Sequence, residues 1–373
     1  MKKPWLWLNT SLMSIGLAVS AHAQNPPIVT FSGTTQTALT FNGTDFSAIQ
    51  CYAPLTWGGM DYFRRGDFDG DGTLDVASLS GQWIYIKTTN GTSDNCTRNL
   101  QFDVGATTWG GPGYTWVGDF NGDRKDDIAS ADGPYIRMKL SKPGAGFTGF
   151  TSETWTPGGV WGPAAWTFVG DFNGDGRADI ASANGNVVNM KLSASDGRLT
   201  NATWLVEPSW GAASYARVGD FDGDGQADIA SPDGGTVHMK LSRGDHFDSQ
   251  DWPAPIAWGG PDYTWVADFN GDGVSDIASA NGGTIYMLQS QRSSFAFGSG
   301  LDSQVEANWG AGVYTWVIDF DGDGDKDIVS ANGTHINVKK NTGLGNFVDA
   351  SYDFFGTWGG WQYTFALDRS RYH

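Results

Sequence analysis

A nine-residue acidic motif recurs six times in this chain, at intervals of about fifty residues. The first copy is Asp67-Phe68-Asp69-Gly70-Asp71-Gly72-Thr73-Leu74-Asp75. The other five copies begin at Asp119, Asp171, Asp220, Asp268 and Asp319. A fixed period of this length is typical of arrays in which each unit buries its apolar face against the next. The repeat therefore constrains the fold more than any other feature.

The motif places oxygen-bearing side chains at positions 1, 3, 5 and 9 of each loop, where 21 aspartates and three asparagines stand. This spacing is typical of calcium-binding loops, which surround the ion with side-chain oxygens and a backbone carbonyl. We predict up to six structural Ca²⁺ ions, bound by those side chains and by the backbone carbonyl at position 7. The alternative is a set of acidic turns without metal. The predicted ligands are Asp67, Asp69, Asp71, Thr73 and Asp75; Asp119, Asn121, Asp123, Lys125 and Asp127; Asp171, Asn173, Asp175, Arg177 and Asp179; Asp220, Asp222, Asp224, Gln226 and Asp228; Asp268, Asn270, Asp272, Val274 and Asp276; and Asp319, Asp321, Asp323, Asp325 and Asp327.

The loops differ from EF-hands, and one of them differs from the rest. An EF-hand needs a glutamate at position 12 and helical flanks, whereas position 12 is serine in all six copies. Position 6 is glycine in every copy except the second, where it is Arg124. Glycine at this position permits the sharp turn of the loop. We therefore expect the Asp119 loop to bind calcium most weakly.

Each loop is preceded, ten residues upstream, by a tryptophan followed by glycine. After the loop, alternating stretches such as Val188–Leu192 follow turn pairs such as Asn184-Gly185. Alternation between tight turns predicts short β-strands, and no apolar period of helical length accompanies it. A seventh Trp-Gly element begins the last unit, which has no acidic loop. The tryptophans of the seven elements are Trp57, Trp109, Trp161, Trp210, Trp258, Trp309 and Trp358.

The two chain ends together supply one more repeat. About four short strands fit in one repeat, which is one propeller blade. The last unit, 358–373, has only 16 residues, and residues 24–56 supply the 33 that complete it. We predict an all-β, seven-bladed β-propeller of four-stranded antiparallel blades, closed by N- and C-terminal strands in one shared blade. The repeats start near residues 57, 109, 161, 210, 258 and 309. An open solenoid of six units is the alternative.

The N-terminus has the features of a secretory signal peptide. Lys2 and Lys3 precede an apolar run over Leu6–Val19, and Ala21-His22-Ala23 is a small-x-small cleavage site. We predict cleavage near Ala23, a single propeller domain over 24–373, and secretion or export to the periplasm, with no membrane span. An uncleaved N-terminal helix is the alternative.

Cysteine content and charge add two expectations. Cys51 and Cys96 are the only cysteines, and an exported chain with two cysteines is expected to pair them; two buried free thiols are the alternative. The formal net charge is −18, which disfavours nucleic acids and anionic membrane surfaces as partners.

The loops and their flanking strands resemble the FG-GAP repeat family, also called VCBS or FG-GAP-like repeats in bacteria. The resemblance covers nearly all of the chain after residue 24. It implies a seven-bladed β-propeller, as in the heads of integrin α-chains, with calcium in β-flanked loops. The glycyl-alanyl-prolyl element that follows the loop in the family is absent here. Some lectins are seven-bladed propellers with similar repeats.

The aromatic residues are the candidate ligand-binding set. Sugars stack their apolar faces on aromatic rings, so repeated Trp-Gly elements could form a ring of similar sugar sites. The alternative for each tryptophan is packing between wedge-shaped blades. Besides the seven Trp-Gly tryptophans, the candidates are three located three residues before a loop: Trp116, Trp265 and Trp316.

The sequence does not favour catalysis. It lacks the Gly-x-Ser-x-Gly and His-Glu-x-x-His motifs, and calcium loops that are coordinatively filled leave no open position for a reacting water. The leading interpretation is a secreted, calcium-stabilised, lectin-like protein that binds glycans or glycoconjugates and is not an enzyme. The alternatives are a propeller that binds surface proteins in adhesion or surface assembly, and a propeller-fold polysaccharide lyase or hydrolase.

Overall fold

The computed structural model describes residues 28–32, 34–53, 62–89, 97–105, 109–156, 158, 160–354 and 364–366. The predicted signal peptide, Trp57, Trp358, Cys96 and Asp368 lie outside these residues. The signal peptide and the Cys51–Cys96 pairing therefore stay predictions. Within the described part of the chain, no helix has the length and apolarity to cross a membrane.

The described residues form seven antiparallel sheets arranged as the blades of a ring, which confirms the predicted fold class. Helical structure in the described ranges is limited to single 3₁₀ turns before the first strand of a blade, such as Pro261–Tyr263. The strands of blades 1 to 3 are β4 Phe63–Gly66, β5 Asp75–Ser80, β6 Trp83–Thr89 and β7 Thr97–Asp103; β8 Thr115–Gly118, β9 Asp127–Asp132, β10 Tyr135–Ser141 and β11 Phe150–Trp155; and β12 Thr167–Gly170, β13 Asp179–Asn184, β14 Val187–Ser193 and β15 Leu199–Leu205. Those of blades 4 to 6 are β16 Arg217–Gly219, β17 Asp228–Asp233, β18 Thr236–Ser242 and β19 Phe247–Pro253; β20 Thr264–Ala267, β21 Asp276–Asn281, β22 Thr284–Ser290, β23 Phe295–Ala296 and β24 Ser303–Gln304; and β25 Thr315–Ile318, β26 Asp327–Asn332, β27 His335–Asn341 and β28 Phe347–Asp353.

The seventh blade combines both ends of the chain. It contains β1 Ile28–Ser32, β2 Thr35–Phe41 and β3 Phe46–Tyr52 from the N-terminal side and β29 Thr364–Ala366 from the C-terminal side. Strand β29 pairs antiparallel with β1, and Thr30 Oγ1 lies 2.8 Å from Thr364 Oγ1. The predicted shared blade is thereby confirmed.

Blade 5 differs from the predicted four strands, because its outer strand is in two pieces. Strands β23 and β24 both pair with β22, at opposite ends of it. Between them, Asp302 Oδ1 accepts a hydrogen bond from the backbone N–H of Met287 at 3.3 Å, in place of a ladder partner. A side chain thus satisfies a backbone donor where the outer strand is interrupted.

The first strand of each blade lies at the centre of the ring, where neighbouring first strands contact one another. These strands end in glycine in blades 1 to 4. At Gly118, a Cβ atom would lie 2.7 Å from Ala178 Cβ in the next blade, so a larger residue would push the blades apart. Blades 5 and 6 have Ala267 and Ile318 at this point.

The hydrophobic core lies between blades. Its most regular member is the phenylalanine at loop position 2, which is almost completely buried in all six copies. Phe221 in blade 4, for example, packs with Ile277, Leu288 and Phe295 of blade 5. The six residues are Phe68, Phe120, Phe172, Phe221, Phe269 and Phe320.

Five of the buried lysines share one repeat position, twelve residues after loop position 9. Lys240 is fully buried; its ammonium donates to Ser209 O at 3.0 Å and lies 4.9 Å from the ring centroid of Trp210. Burial lowers the pKa of Lys240 to about 8. Blade 5 has Leu288 at the same strand position. The lysines are Lys87, Lys139, Lys191, Lys240 and Lys339.

Arg124 has a backbone φ of 71° in the second loop, in the left-handed region. Glycine at loop position 6 has similar values elsewhere, such as 81° at Gly176. The Arg124 N–H still donates to Asp119 Oδ2 at 2.7 Å, so the loop keeps its shape despite the unfavourable backbone. A left-handed non-glycine residue costs about 1–2 kcal/mol.

Replacing Arg124 with glycine should increase the free energy of unfolding by about 0.5–1 kcal/mol, because relief of the left-handed strain exceeds the extra chain entropy of glycine. Urea unfolding measures the change. The reciprocal control is Gly176→Ala, where φ is 81° and a Cβ would have no neighbour within 4 Å; this variant should lose stability. Equal stability of Arg124→Gly and the wild type would contradict the prediction.

Replacing Lys240 with methionine should change how stability depends on pH. The ordinary lysine pKa of 10.5 falls to about 8 in the folded protein, so between these values the unfolded chain binds more protons and stability rises with pH. Below about pH 8 the contribution of Lys240 is constant. Unfolding free energies measured from pH 7.5 to 10 should therefore rise less in Lys240→Met than in the wild type. Leu288→Met is the matched control and should keep the wild-type slope; parallel curves for Lys240→Met and wild type would refute the assignment.

Candidate functional site

The carboxylate at loop position 1 organises the loop backbone around itself. In the third loop, Asp171 Oδ1 accepts hydrogen bonds from the N–H groups of Gly174 at 2.8 Å and Asp175 at 3.1 Å, and its Oδ2 accepts from Gly176 at 2.7 Å. Asp67 and Asp220 make the same three bonds in their loops. Because several donors converge on one carboxylate, the glycines can turn the chain tightly without leaving unpaired N–H groups.

The carboxylate at position 9 connects the loop to the interior of its blade. Asp179 is fully buried; its Oδ2 accepts from the N–H of Phe172 at 3.2 Å and its Oδ1 from the N–H of Ser193 at 2.8 Å. The residue therefore joins the loop, the second strand and the end of the third strand. The corresponding aspartates are Asp75, Asp127, Asp179, Asp228, Asp276 and Asp327.

Carboxylates come together in three loops closely enough to share an ion. The oxygens of each group lie within 4.8 Å of one another. The groups are Asp67, Asp69 and Asp71; Asp220, Asp222 and Asp228; and Asp319, Asp321 and Asp327. The other three loops have asparagine at position 3, so their donor sets combine carboxylate and amide oxygens.

The donor chemistry and one orphaned atom fit a hard cation. All side-chain donors in the loops at positions 1, 3, 5 and 9 are oxygens, which calcium prefers. Asp222 Oδ1 is buried and has no hydrogen-bond partner, and an unpaired buried carboxylate oxygen is costly unless something compensates it. The structure does not test the carbonyl ligands predicted at position 7.

Burial and mutual repulsion disfavour ionisation of the loop carboxylates. Burial, followed by the charges of Asp71 and Asp67, raises the pKa of Asp69 to about 6. Burial, together with neighbouring loop carboxylates, raises the pKa of Asp228 to about 8 and that of Asp276 to about 7, against the opposing effect of their backbone hydrogen bonds. A bound cation would favour the ionised forms.

Backbone hydrogen bonds join successive loops around the ring. The N–H of Ala178, at position 8 of the third loop, donates to the carbonyl of Asp119, at position 1 of the second loop, at 2.8 Å. The same link joins Asp126 to Asp67, Ala227 to Asp171 and Ser275 to Asp220. The loops thus form a connected belt on one face of the propeller.

The Trp-Gly elements lie at the opposite end of the second strand. In blade 5, a Cβ on Gly259 would lie 1.9 Å from Ala280 O, so only glycine fits against this strand. The N–H of Gly259 donates to Ser279 Oγ at 2.9 Å, and Ser279 Oγ lies 2.9 Å from Thr264 Oγ1. Ser279 occupies position 12 of its loop, so the serine repeated there anchors the Trp-Gly turn.

The indole N–H of four Trp-Gly tryptophans reaches back to the preceding blade. Trp258 Nε1 donates to Gly234 O at 2.6 Å, and Trp309 Nε1 donates to Gly282 O at 2.8 Å. Trp109 and Trp210 make equivalent bonds to Gly81 O and Gly185 O. These tryptophans are partly exposed, so each seals the joint between two blades and still presents one edge to solvent.

The flat faces of several of these tryptophans are covered. The Trp161 ring stacks on Trp116 with centroids 5.3 Å apart, and Lys191 Nζ lies 5.0 Å from its centroid on the ring face. Trp309 has a comparable tilted neighbour, Trp265, at 5.8 Å. Trp316 is buried in the core beside blade 7. Trp116, Trp265 and Trp316 therefore all take part in packing.

Arginine replaces the aromatic three residues before two of the loops, and it also joins blades. The Arg217 guanidinium donates to Pro261 O at 2.6 Å and to Thr264 O in the next blade. Arg64 makes the matching bonds to Pro112 O and Thr115 O.

A cleft of about 320 Å³ opens between Trp258 and Trp309. Its floor is the Asn281-Gly282 turn between β21 and β22, and Gly259, Gly260 and Tyr263 complete the lining. Asn281 is exposed, and its side-chain amide donates weakly to Trp258 O at 3.4 Å. Sequence reasoning identified both tryptophans but missed Asn281; the recurrence of a polar residue before glycine in this turn was the available signal. That residue is Ser80, Asp132, Asn184, Asp233, Asn281 or Asn332.

The comparisons with known proteins agree with this architecture. Residues 119–182 and 171–231 match the family described as the FG-GAP-like repeat. No curated protein sequence matches the chain. Among solved structures, an Agrocybe aegerita lectin that recognises non-reducing terminal N-acetylglucosamine is 18% identical, with a TM-score of 0.69 over 92% of this chain and 95% of that one.

Two other similar structures come from Bacteroides and are described as candidate 6-phosphogluconolactonases. The Bacteroides uniformis protein is 12% identical, with a TM-score of 0.53 over 89% of this chain and 97% of that one. The Bacteroides fragilis protein is 10% identical, with a TM-score of 0.52 over 90% and 97%. At these identities the likeness shows the fold alone. Residues 119–231 therefore carry FG-GAP-like repeats, and the described chain forms a seven-bladed β-propeller.

Proposed function

We propose that the protein is a secreted, calcium-stabilised propeller that binds carbohydrate in clefts between its blades. The observation that carries this proposal is the cleft between Trp258 and Trp309, which combines two indole edges with the Asn281 amide and glycine backbone. Ligand sites in proteins typically combine apolar walls with a few polar groups that fix orientation. At about 320 Å³, the cleft has the size of a small ligand such as one or two sugar units.

The turn at this cleft recurs in other blades. The Asn332-Gly333 turn of blade 6 repeats the geometry at Asn281, with the Asn332 amide 3.4 Å from Trp309 O. Sites that each bind one sugar weakly bind a glycan-coated surface strongly when several engage at once. The likeness to a lectin at 18% identity supports the same class of ligand and does not specify the sugar.

The calcium loops and the clefts lie at opposite ends of the second strand. Strand β21 begins at Asp276, which is loop position 9, and ends at Asn281 in the cleft. Six residues of extended chain separate the two sites by about 17 Å. In this proposal, calcium stabilises the blades and does not contact the sugar.

Sugar binding should depend on the turn asparagines. A glycan array with calcium present, which includes N-acetylglucosamine glycans, should identify a ligand for the wild type. Combined replacement of Asn184, Asn281 and Asn332 with alanine should then weaken binding to a surface coated with that glycan at least tenfold, because several sites are lost together. Asn346→Ala, on the hairpin at the loop end of blade 6, is the control and should bind normally.

Two results would contradict the carbohydrate proposal. One is an absence of hits on the array at high protein density. The other is unchanged binding by the triple variant when its melting temperature matches the wild type. Capture of surface proteins that survives glycosidase treatment would favour the adhesion alternative, and turnover of polysaccharides would favour the enzyme alternative.

Calcium removal should lower the melting temperature reversibly. A ligand that binds only the folded state stabilises it by about 2.7 kcal/mol per site when its free concentration is 100 times the dissociation constant. Scanning calorimetry with chelator, and again after calcium is restored, measures the effect. Asp175→Ala removes a position 5 ligand and should reduce bound calcium by one ion, whereas Asp196→Ala, on an exposed hairpin, should not. Identical melting with and without chelator would refute structural calcium.

A further inference from the structure

Two of the acidic loops hold a positively charged side chain from their own blade. Arg243 Nη1 lies 2.5 Å from Asp222 Oδ2 and 3.1 Å from Asp224 Oδ2, which are positions 3 and 5 of the fourth loop. Lys340 Nζ makes an ion pair with Asp321 and lies 3.5 Å from Asp323 Oδ2, the same two positions of the sixth loop. Both cations therefore bridge carboxylates that are predicted calcium ligands.

Two of the three loops with asparagine at position 3 connect the same two positions without a cation. Asn121 Nδ2 donates to Asp123 Oδ2 at 3.3 Å, and Asn270 Nδ2 donates to Asp272 Oδ2 at 3.1 Å. Arg177 in the third loop pairs with Asp175 at position 5. The bridging cations thus accompany aspartate at position 3, where a fourth carboxylate adds to the repulsion. The first loop also has Asp69 at this position. Its counterpart of Lys340 is Thr88, which carries no charge, and its counterpart of Arg243 is Asn90, which lies outside the described ranges.

We propose that Arg243 and Lys340 are internal counter-ions that compete with calcium for the Asp220 and Asp319 loops. An ion that binds Asp222 and Asp224 has to displace the Arg243 guanidinium or share their oxygens with it, and like charges a few ångströms apart repel. Arg243 is held in place by a further bond, from Nε to Asp248 Oδ2 at 2.9 Å. These two loops therefore take up calcium at higher concentration than their four carboxylates alone would imply.

The same contacts define a role in the calcium-free protein. Asp222 is nearly buried, with a side-chain exposure of 9%. Without calcium, Arg243 offsets the Asp222 and Asp224 charges, and the Arg292 guanidinium adds a bond to the Asp222 carbonyl at 3.2 Å. Its competition with the ion makes the protein less dependent on calcium at this loop. The inference depends on the calcium part of the proposed function.

The test compares Arg243→Ala and Lys340→Ala with Lys142→Ala. Lys142 lies 23 residues after Asp119, as Arg243 does after Asp220; it is exposed, and no ion pair between it and its loop occurs among the described contacts. Calcium titration by calorimetry, in competition with a chelator, measures the dissociation constants. Each of the first two variants should move one calcium ion to about tenfold higher affinity, and Lys142→Ala should leave the isotherm unchanged.

Thermal melting supplies a second measurement that separates competition from a general loss of structure. Without calcium, Arg243→Ala should melt below the wild type, and with saturating calcium the difference should vanish or reverse. Wild-type isotherms in both variants, with melting temperatures also unchanged, would overturn the counter-ion proposal alone. A wild type that takes up no calcium would overturn both this proposal and the structural calcium on which it depends.

Discussion

The buried carboxylate at loop position 9 is the interaction on which each repeat depends. Asp179 accepts one hydrogen bond from the loop and one from the end of the third strand, while it begins the second strand itself. Burying a carboxylate costs free energy unless its oxygens accept hydrogen bonds. Because the same residue is also a predicted calcium ligand, the fold and the proposed metal site share one side chain.

In blades 2 to 6, the second strand connects the acidic loop to the Trp-Gly turn on the other face of the propeller. It is buried over nearly its whole length, from the aspartate of the loop to the serine that holds the Trp-Gly turn. In the five Trp-Gly elements that the structure describes, the glycine then has to lie against a backbone carbonyl, where no other residue fits. The position of Trp258 is therefore set by the strand beneath it, and the cleft follows from blade packing.

Much of this arrangement could be predicted from the sequence because it repeats. Period, loop spacing and the shared seventh blade all followed from residues at fixed offsets, and the pairing of β29 with β1 confirms the closure. Other features depend on contacts between segments that are distant in the sequence. The burial of Lys240 beside Trp210 and the approach of Arg243 to Asp222 are of this kind. An alternating strand pattern assigns a side chain to one face and does not say what the neighbouring blade places there.

The tryptophans show why packing and ligand binding are not exclusive alternatives in a propeller. Trp309 closes the joint between blades 5 and 6 through its N–H bond and its contact with Trp265, and its remaining edge is a wall of the cleft. Packing between neighbouring blades favours a large aromatic side chain at their interface. A groove that opens at such an interface is therefore lined by an aromatic residue. A binding function can arise at such a groove by changes in the exposed turn residue alone, since Asn281 and its counterparts vary among serine, asparagine and aspartate while the tryptophans do not. Ligand specificity is therefore expected to depend on the turn residues more than on the tryptophans.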